Sequence, residues 1–222
     1  MEMNEVMRTT FASRDYSGEE LPDAILYDIL DTARFAPSGG NRQGNKVIVI
    51  RDQETRDKIS NLAETAAKRY AAQVKAGESP RNTIVPTAVT AEEMANTPAP
   101  ATLTQPYRNA SVVLVFVVDL KVVASMDQNL NRNGVISGGS IYPFVWNVLL
   151  AARQAGFGGT ITNLPAAEEP KLQALLNIPS DFAFAAAVPL GKPVKQLTKL
   201  RRNSVEEIAV REKFDGAPFR LG

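Results

Sequence analysis

The amino-acid sequence predicts a protein of the α+β class, in which helices cover a central sheet. Residues 25–33 place apolar side chains at three- and four-residue spacing, which is typical of a helix with one buried face. Residues 111–119 (SVVLVFVVD) are instead continuously apolar, which indicates a strand in a sheet covered on both sides. A length of 222 residues corresponds to one large domain or two very small ones, and we expect one domain over residues 1–222.

The first part of the chain predicts a helix, a strand and a second helix. Leu21-Pro22-Asp23 begins the first helix, because proline suits the first helical position and aspartate the first turn. Ala36-Pro37-Ser38-Gly39-Gly40 ends it, since proline cannot continue a helix and glycine permits positive φ. Val47–Ile50 is predicted to be a short buried strand, and a helix that is charged on one side is expected from about Gln53 to about Lys75.

Residues 76–106 differ in character from the segments before them. They are rich in threonine and alanine, contain no aromatic side chain and include Pro80, Pro86, Pro98, Pro100 and Pro106. Their length and proline content predict an insertion or lid with a short helix around Ala91–Ala95. A disordered surface insertion explains the same composition equally well, so the sequence leaves both interpretations open.

The second half of the chain predicts two helices and two strands. They are an apolar helix from Ile136 to about Gln154, a strand at Thr160–Thr162, a helix at Pro165–Asn177 and a strand at Phe182–Leu190, followed by a turn at Gly191–Pro193. The apolar helix contains glycine, proline and asparagine between flanking arginines, so we interpret it as buried in protein and not as a membrane span. In the tail, residues 205–210 carry an apolar face that must lie on another surface, a partner chain being one candidate.

The composition excludes several kinds of chemistry. The chain has neither histidine nor cysteine, which rules out a Ser-His-Asp triad, a thiolate nucleophile and metal sites ligated by those residues. We predict no metal site, and expect carboxylates, lysine, tyrosine or a cofactor to supply any reactivity. A net charge of +1 argues against general binding to nucleic acids or anionic membranes. Met1–Thr10 lacks the apolar core of a secretory signal, so we expect a cytoplasmic protein.

Three groups of residues are candidates for a binding site. The first is the run Ser38–Gln43, where paired glycines let a backbone approach a flat ligand. The second is Gly158-Gly159-Thr160, whose N–H groups can bond a ring heteroatom. Each of these also has a purely structural explanation, a polar turn after a helix or a tight helix-to-strand connection. The third is a set of cations that suits a phosphate or, alternatively, a solvated surface: Arg8, Arg14, Lys192, Lys195, Lys199, Arg201 and Arg202.

Together these groups resemble the FMN-dependent nitroreductase superfamily. Residues 14–50 (RDYSGEELPDAILYDILDTARFAPSGGNRQGNKVIVI) match the opening of that family without a gap: Arg-x-aromatic, a Pro-led helix, A-R-aromatic-A-P-S-G-G-N-x-Q and a strand. The resemblance resumes at residues 138–142, 147–153 and 156–160. It ends with residues 189–193, a basic stretch and the Val-Glu-Glu-Ile arm. About half of the chain is covered, and four motifs in order are more specific than any one of them.

The resemblance implies both an architecture and a reaction. The architecture is a homodimer with a mainly antiparallel sheet, two FMN sites at the interface and C-terminal arms, here residues 203–222, that cross to the partner. In the reaction, NADH or NADPH passes a hydride to N5 of FMN. A nitroaromatic, quinone or similar planar acceptor then binds the same face in a ping-pong exchange. Since the cofactor carries the reactivity, no catalytic side chain is assigned. Residues 76–106 are the candidate acceptor lid.

The resemblance also places FMN contacts at four segments. The first is Arg14, near the pyrimidine edge of the ring or the ribityl chain. The others are a loop that lines the flavin across the dimer interface, a segment whose backbone faces N5 and a C-terminal phosphate clamp. The loop consists of Pro37, Ser38, Gly39 and Asn41. The segment that faces N5 is Gly159 and Thr160, and the phosphate clamp is Lys199 and Arg201, with Arg202 as a further candidate.

Two departures from the family pattern leave alternatives open. The family opens Arg-x-Ser-x-Arg, whereas here Thr10 stands for the phosphate arginine and Ala12 for the serine. Arg8 supplies the charge if the first strand is shifted by two residues, and Ser13 is the candidate for the hydroxyl. Residues 43–45 (QGN) replace Gln-Pro-Trp, which removes an aromatic wall. The alternatives are a flavin carrier or sensor without turnover, and another reaction of the same fold such as reductive dehalogenation or flavin fragmentation.

Overall fold

A four-stranded antiparallel sheet with helices on both faces forms the centre of the computed structural model, which describes residues 1–221. The strands lie in the order β1-β2-β4-β3, and the three pairings are antiparallel. The predicted α+β class with a mainly antiparallel sheet is therefore confirmed. The strands are β1 (Asn45–Ile50), β2 (Val112–Asp119), β3 (Gly158–Gly159) and β4 (Phe182–Gly191).

The helices agree with the sequence predictions at most of the expected places. In residues 1–221 they are α1 (Met3–Thr9), α2 (Asp23–Ala33), α3 (Gln53–Lys75), α4 (Ala91–Asn96), α5 (Ala101–Asn109), α6 (Tyr142–Gln154), α7 (Glu169–Leu176) and α8 (Val205–Ile208). Short 3₁₀ turns precede α6 and α7, so both helices begin later than predicted. None of the helices in this part of the chain is both long and apolar enough to cross a membrane.

The structure differs from the sequence predictions at three places. The segment around Arg8 is helix α1 and not a strand, and its one buried apolar side chain, Val6, gives little periodic signal. Helix α5 was not predicted because it contains Pro106, although buried Tyr107 and its hydrogen bond to Thr162 (3.0 Å) hold this turn. The short strand is formed by residues 158–159 instead of 160–162, of which only Thr162 makes a single bridge, to Ala187.

The two faces of β2 bury alternate side chains in two hydrophobic clusters. Val112, Leu114, Phe116 and Val118 pack with α2 and α6 on one face. Val113, Val115 and Val117 pack with α3 and α5 on the other. The prediction of a strand covered on both sides is therefore confirmed. Helix α6 buries Val145, Val148, Leu149 and Ala152 but leaves Tyr142 and Trp146 exposed, so only one side of this predicted buried helix is covered within the chain.

Glu78 organises the segment that follows α3. Its carboxylate accepts hydrogen bonds from Gln73 Nε2 (3.0 Å), Thr87 Oγ1 (2.6 Å) and the Ala88 N–H (2.7 Å). These donors, Thr87 first, lower the pKa of Glu78 below its usual value because they favour the charged form. Gln73 Oε1 in turn accepts the N–H of Arg81 at 3.2 Å. Residues 78–90 are thus tied to the end of α3.

We expect Glu78→Ala to loosen this segment. A carboxyl whose pKa is lowered by folding stabilises the folded protein at pH values above its usual pKa of 4.5. That contribution is lost as the pH falls from 4.5 through the lowered pKa. At neutral pH the substitution removes three hydrogen bonds, and trypsin should then cleave after Arg81 severalfold faster than in the parent protein. Glu92→Ala, at an exposed position on α4, is the matched control. Equal cleavage rates for parent and Glu78→Ala would contradict the role given to Glu78.

Candidate functional site

The N-terminal segment runs along the end of β4 and brings two predicted site segments together. The Ser13 N–H donates to the Gly159 carbonyl oxygen at 3.0 Å, and the Ser17 N–H donates to the Lys192 carbonyl oxygen at 2.9 Å. Ser13 is buried, whereas Arg14 beside it is exposed. The structure therefore places Ser13 and Arg14 next to Gly159 and Thr160, although they are far apart in sequence.

The Tyr16 side chain holds this N-terminal segment against strand β4. Its hydroxyl lies 2.9 Å from the carbonyl oxygens of both Ser13 and Pro189, and donates its one hydrogen to either of them. Burial raises the pKa of Tyr16, and the nearby Arg14 charge opposes that rise only in part, so the phenol stays protonated as a donor. The phenol thus joins the turn that carries Arg14 to strand β4.

Gly159 is required for the close approach of β3 to β4. A Cβ atom at this position would lie 2.5 Å from the Pro189 carbonyl oxygen, a contact that side-chain carbons do not make. The absence of a side chain thus lets the backbone at Gly159 sit against β4 and accept the Ser13 N–H. Buried Thr160 follows directly and leads into the cavity described next.

A cavity of about 240 Å³, here called the Arg14 cavity, opens beside this junction. Arg14 and Thr160 line it together with Asn163, and Tyr70 and Arg81 close it from α3 and the following loop. The side chain of Arg14 makes one long contact of 3.4 Å to the carbonyl of Ala12, so most of its donors remain available. This cavity holds two of the predicted FMN residues.

A second cavity, of about 450 Å³, collects three cations and is here called the Arg8 cavity. Arg8 on α1 lines it with Lys199 and Arg202 from the loop after β4. Gln196 holds that loop against α1 by donating from Nε2 to the carbonyl oxygen of Thr9 at 2.9 Å. Arg201, which the resemblance placed in the clamp, lies on the same loop but is not part of the lining of this cavity.

The structure places Arg8, and not Thr10, beside the cations of the loop after β4. Thr10 is buried, and its hydroxyl donates to the Val6 carbonyl oxygen at 2.7 Å, where it closes α1. Arg8 lies in the last turn of α1 and is exposed toward Lys199 and Arg202. The alternative of Arg8 therefore has a geometric basis, although it arises from a helix and not from a shifted strand.

The predicted loop Pro37–Asn41 lies in a different part of the structure from the Arg14 cavity. The Gly39 N–H donates to Ser140 Oγ at 2.9 Å. Gln43 N–H donates to Ser38 Oγ at 2.9 Å. The non-glycine residue Asn41 has a φ of 52°. These bonds hold a turn against the start of α6.

The Arg14 region and this loop occupy opposite ends of the sheet. The loop leads into β1, whose first residue pairs with Val118, whereas Gly159 pairs with Leu190, which faces Val112. The six steps from Val112 to Val118 span about 20 Å. Helix α6, with 13 residues between the two ends, gives the same length of about 20 Å. Within one chain the two groups cannot contact the same flavin ring.

The two cavities fit an anionic, ring-containing cofactor. The Arg8 cavity presents three cations with no carboxylate in its lining, which suits a phosphate group. The Arg14 cavity adds a further arginine beside the backbone at Gly159–Thr160, which suits a polar ring edge. Fold and site thus define a helix-covered antiparallel α+β protein with a place for a phosphorylated cofactor.

A family model described as "Nitroreductase family" matches residues 7–192. The chain belongs to the nitroreductase family, so the resemblance predicted from the sequence motifs is confirmed. This family is FMN-dependent, which confirms the predicted cofactor at the level of the family.

The chain is similar to several characterised proteins. It is 26% identical over 200 residues to the iodotyrosine deiodinase of Nematostella vectensis, an alignment that covers 89% of this chain and 70% of the relative. A structure of an iodotyrosine deiodinase bound to FMN and 3-iodo-L-tyrosine matches with a TM-score of 0.66 at 20% identity, covering 96% and 99% of the two chains. The NADPH:FMN oxidoreductase of Vibrio harveyi, complexed with NAD+, matches with a TM-score of 0.68 at 16% identity, covering 96% and 78%.

Sequence reasoning missed several residues of the Arg14 cavity. Arg81, Tyr70 and Asn163 line it, yet none belongs to a motif that was singled out. Arg81 lies in the proline-rich segment, where the sequence gave no indication of which side chain faces the site. A basic residue in a segment predicted to be a lid was the only signal available.

We expect Tyr16→Phe to destabilise the junction between the N-terminal segment and β4. The change removes one buried hydroxyl and leaves the carbonyl oxygens of Ser13 and Pro189 without this donor. The free energy of unfolding, measured in urea, should fall by about 1–2 kcal/mol. Tyr27→Phe, which removes a hydroxyl from an exposed side chain, should change it by a few tenths at most. Equal effects from the two substitutions would argue against the junction.

Proposed function

We propose that this protein is an FMN-dependent oxidoreductase that transfers a hydride from NADH or NADPH to a nitroaromatic, quinone or similar planar acceptor. The observation that carries the proposal is that the N-terminal segment contributes a cation to each of two cavities, Arg8 to one and Arg14 to the other. One offers a phosphate clamp, and the other offers Arg14 and Thr160 for a ring. When bound, FMN supplies an N5 atom that accepts a hydride and passes it on.

The chain's own residues bind and orient the cofactor. Arg8, Lys199 and Arg202 hold the phosphate by charge-assisted hydrogen bonds. The guanidinium of Arg14 would hold the polar edge of the ring, and its fixed positive charge would stabilise negative charge there. The Tyr16 hydroxyl keeps the turn bearing Arg14 in place. Residues 76–106 act as a lid, since Pro80 and Arg81 line the Arg14 cavity.

The proposal includes a homodimer with exchanged arms. Because the loop Pro37–Asn41 lies about 20 Å from the Arg14 cavity in its own chain, a flavin lined by both needs a loop from a second chain. The C-terminal segment also lacks a surface to cover its apolar side chains. Ile208 is 71% exposed, and Phe214 and Leu221 are 100% and 94% exposed. A partner chain under these arms buries those side chains and completes the site.

Reductive dehalogenation is a second candidate for the acceptor reaction. The similarity to an iodotyrosine deiodinase over 89% of the chain favours it, and the same flavin chemistry serves both reactions. Release of iodide from an iodinated phenol by the reduced protein distinguishes this reaction from nitro or quinone reduction.

The experiment that tests the proposed function is the visible spectrum of the purified protein during anaerobic titration with NADH and with NADPH. We expect a yellow dimer whose chromophore is identified as FMN after release, and whose absorbance is bleached by at least one nicotinamide. Addition of an acceptor should restore the absorbance. A yellow protein that neither nicotinamide bleaches would instead indicate a carrier or sensor, and a colourless monomer that does not take up FMN would contradict the proposal.

Substitutions in the Arg8 cavity should weaken FMN binding. For Arg8→Ala and Lys199→Ala we expect the dissociation constant of FMN to rise about tenfold to a hundredfold, the scale of a lost charge-assisted hydrogen bond of about 1.5–3 kcal/mol. Arg201→Ala is the informative comparison, because its side chain does not line the cavity and the effect should be smaller. Fluorescence titration of the apoprotein measures all three. A larger effect at Arg201 than at Arg8 would show that the clamp is misplaced.

A further inference from the structure

Arg81 has an unusual combination of burial and unused hydrogen-bonding capacity. It lines the Arg14 cavity, and its Nε–H group is buried without an acceptor among residues 1–221. A buried donor of a charged group that lacks a partner costs free energy, and a ligand oxygen that accepts from it recovers that cost. The proposed roles of FMN and the nicotinamide make no use of this guanidinium.

The cations around Arg81 are not balanced by acids. Arg81 also lines a larger cavity of about 1030 Å³ between α3 and α4, together with Lys68 and Arg69. In the described part of the chain, the lining of neither cavity includes a carboxylate. Glu168 lies next to the larger cavity, because its carboxylate accepts a hydrogen bond of 3.0 Å from Thr65 Oγ1, which lines that cavity. The charge of Glu168 is paired with Lys171 at 2.7 Å.

Burial, and to a smaller extent the charge of Arg69, lower the pKa of Arg81 from its usual value. Both causes disfavour the cation, which nevertheless remains charged because an arginine titrates far above neutral pH. An anion placed between the two guanidinium groups relieves their repulsion. The region around Arg81 and Arg69 is thus electrostatically suited to a negative group.

The backbone at Arg81 is held in a conformation that an arginine rarely adopts. Its φ of 57° lies in the left-handed region, which glycine and asparagine enter at lower cost. Gln73 Oε1 holds the Arg81 N–H at 3.2 Å, and Glu78 positions Gln73 in turn. The network holds the backbone of Arg81 without using the guanidinium itself, so these bonds do not explain an arginine at this position.

We propose that Arg81, with Arg69, binds an anionic group of the electron acceptor, a carboxylate or phosphate attached to a planar ring that lies near Thr160. The inference rests on the proposed function and deepens it, since it names acidic aromatic compounds as the preferred acceptor class. Arginine suits the task because its fork of donors matches two oxygens of one anionic group. Arg81 is then a specificity-determining residue, and neutral planar acceptors bind without its help.

Equilibrium binding to the FMN-loaded protein tests the inference without turnover. The probes are benzoate and 3-phenylpropanoate, with benzamide and 3-phenylpropanamide as neutral counterparts of the same shape. Binding is followed by calorimetry and by the perturbation of the flavin spectrum. In the parent protein we expect at least one acid to bind more tightly than its amide.

Three variants separate a binding role from a structural one. Arg81→Gln and Arg81→Gly should weaken binding of the preferred acid about tenfold to a hundredfold, the scale of a lost charged hydrogen bond, and leave the amide unchanged. Arg81→Gly should also keep or raise the thermal unfolding midpoint, because glycine tolerates the positive φ at this position. Lys46→Gln, at an exposed cation on β1, is the control and should change neither quantity.

The outcomes distinguish this inference from the proposed function. If FMN binds and a nicotinamide bleaches it, yet acids and amides bind equally or the Arg81 variants keep the preference, the inference is overturned and the function stands. Absence of measurable binding by either acid also overturns it. If Arg81→Gln weakens binding of NADP+ and not of the acid, the anion belongs to the coenzyme and the inference is again wrong. Loss of bound FMN in the parent protein would instead count against the function.

Discussion

The attachment of the N-terminal segment to the end of β4 is the constraint on which the rest of the site depends. Tyr16 reaches the carbonyl oxygens of Ser13 and Pro189 with one buried hydroxyl, and Gly159 has no side chain to keep β3 away from β4. Both contacts are short-range and directional, so a small shift would move Arg14 relative to Thr160. The attached segment follows helix α1 (Met3–Thr9), and this helix carries Arg8 to the loop after β4. This junction therefore positions both the Arg14 cavity and the Arg8 cavity.

The parts of the fold that the sequence predicted well are those where burial produces a regular pattern. Strand β2 is continuously apolar because both of its faces are covered, and α3 alternates between a buried and a charged side. Helices α1 and α5 escaped prediction because their stability depends on tertiary contacts. In α5, Pro106 is an unfavourable helix residue, yet buried Tyr107 bonds to Thr162 and the Thr104 carbonyl accepts from Ser60 Oγ at 2.9 Å.

The candidate site likewise contains segments that the sequence predicted and residues that it did not. Motif resemblance identified the segments around Arg14, Gly159 and Lys199, since these depend on local backbone features that recur within a family. It did not single out Arg81, because the position of this residue beside the cavity depends on bonds of Gln73 and Glu78 that hold its backbone in a segment without a motif. Nor does the sequence alone reveal that Pro37–Asn41 lies at the opposite end of the sheet, which depends on the strand order.

The distribution of charge explains how a nearly neutral protein can favour anions. The chain carries 25 basic and 24 acidic residues, so its overall field attracts no anion strongly. The local balance is different, because the Arg8 cavity and the two cavities around Arg81 are lined by cations without carboxylates. Acidic residues lie outside these cavities. Examples are the surface ion pairs Glu54–Lys58 and Asp181–Lys121 and the hydrogen bonds that Glu78 accepts. The role proposed for Arg81 and Arg69 therefore places selectivity at short range, within a Debye length of about 8–10 Å, where paired guanidinium groups would meet an anionic group of defined shape. Such a site discriminates by the position of the anion on its ligand, which a uniformly basic surface cannot do.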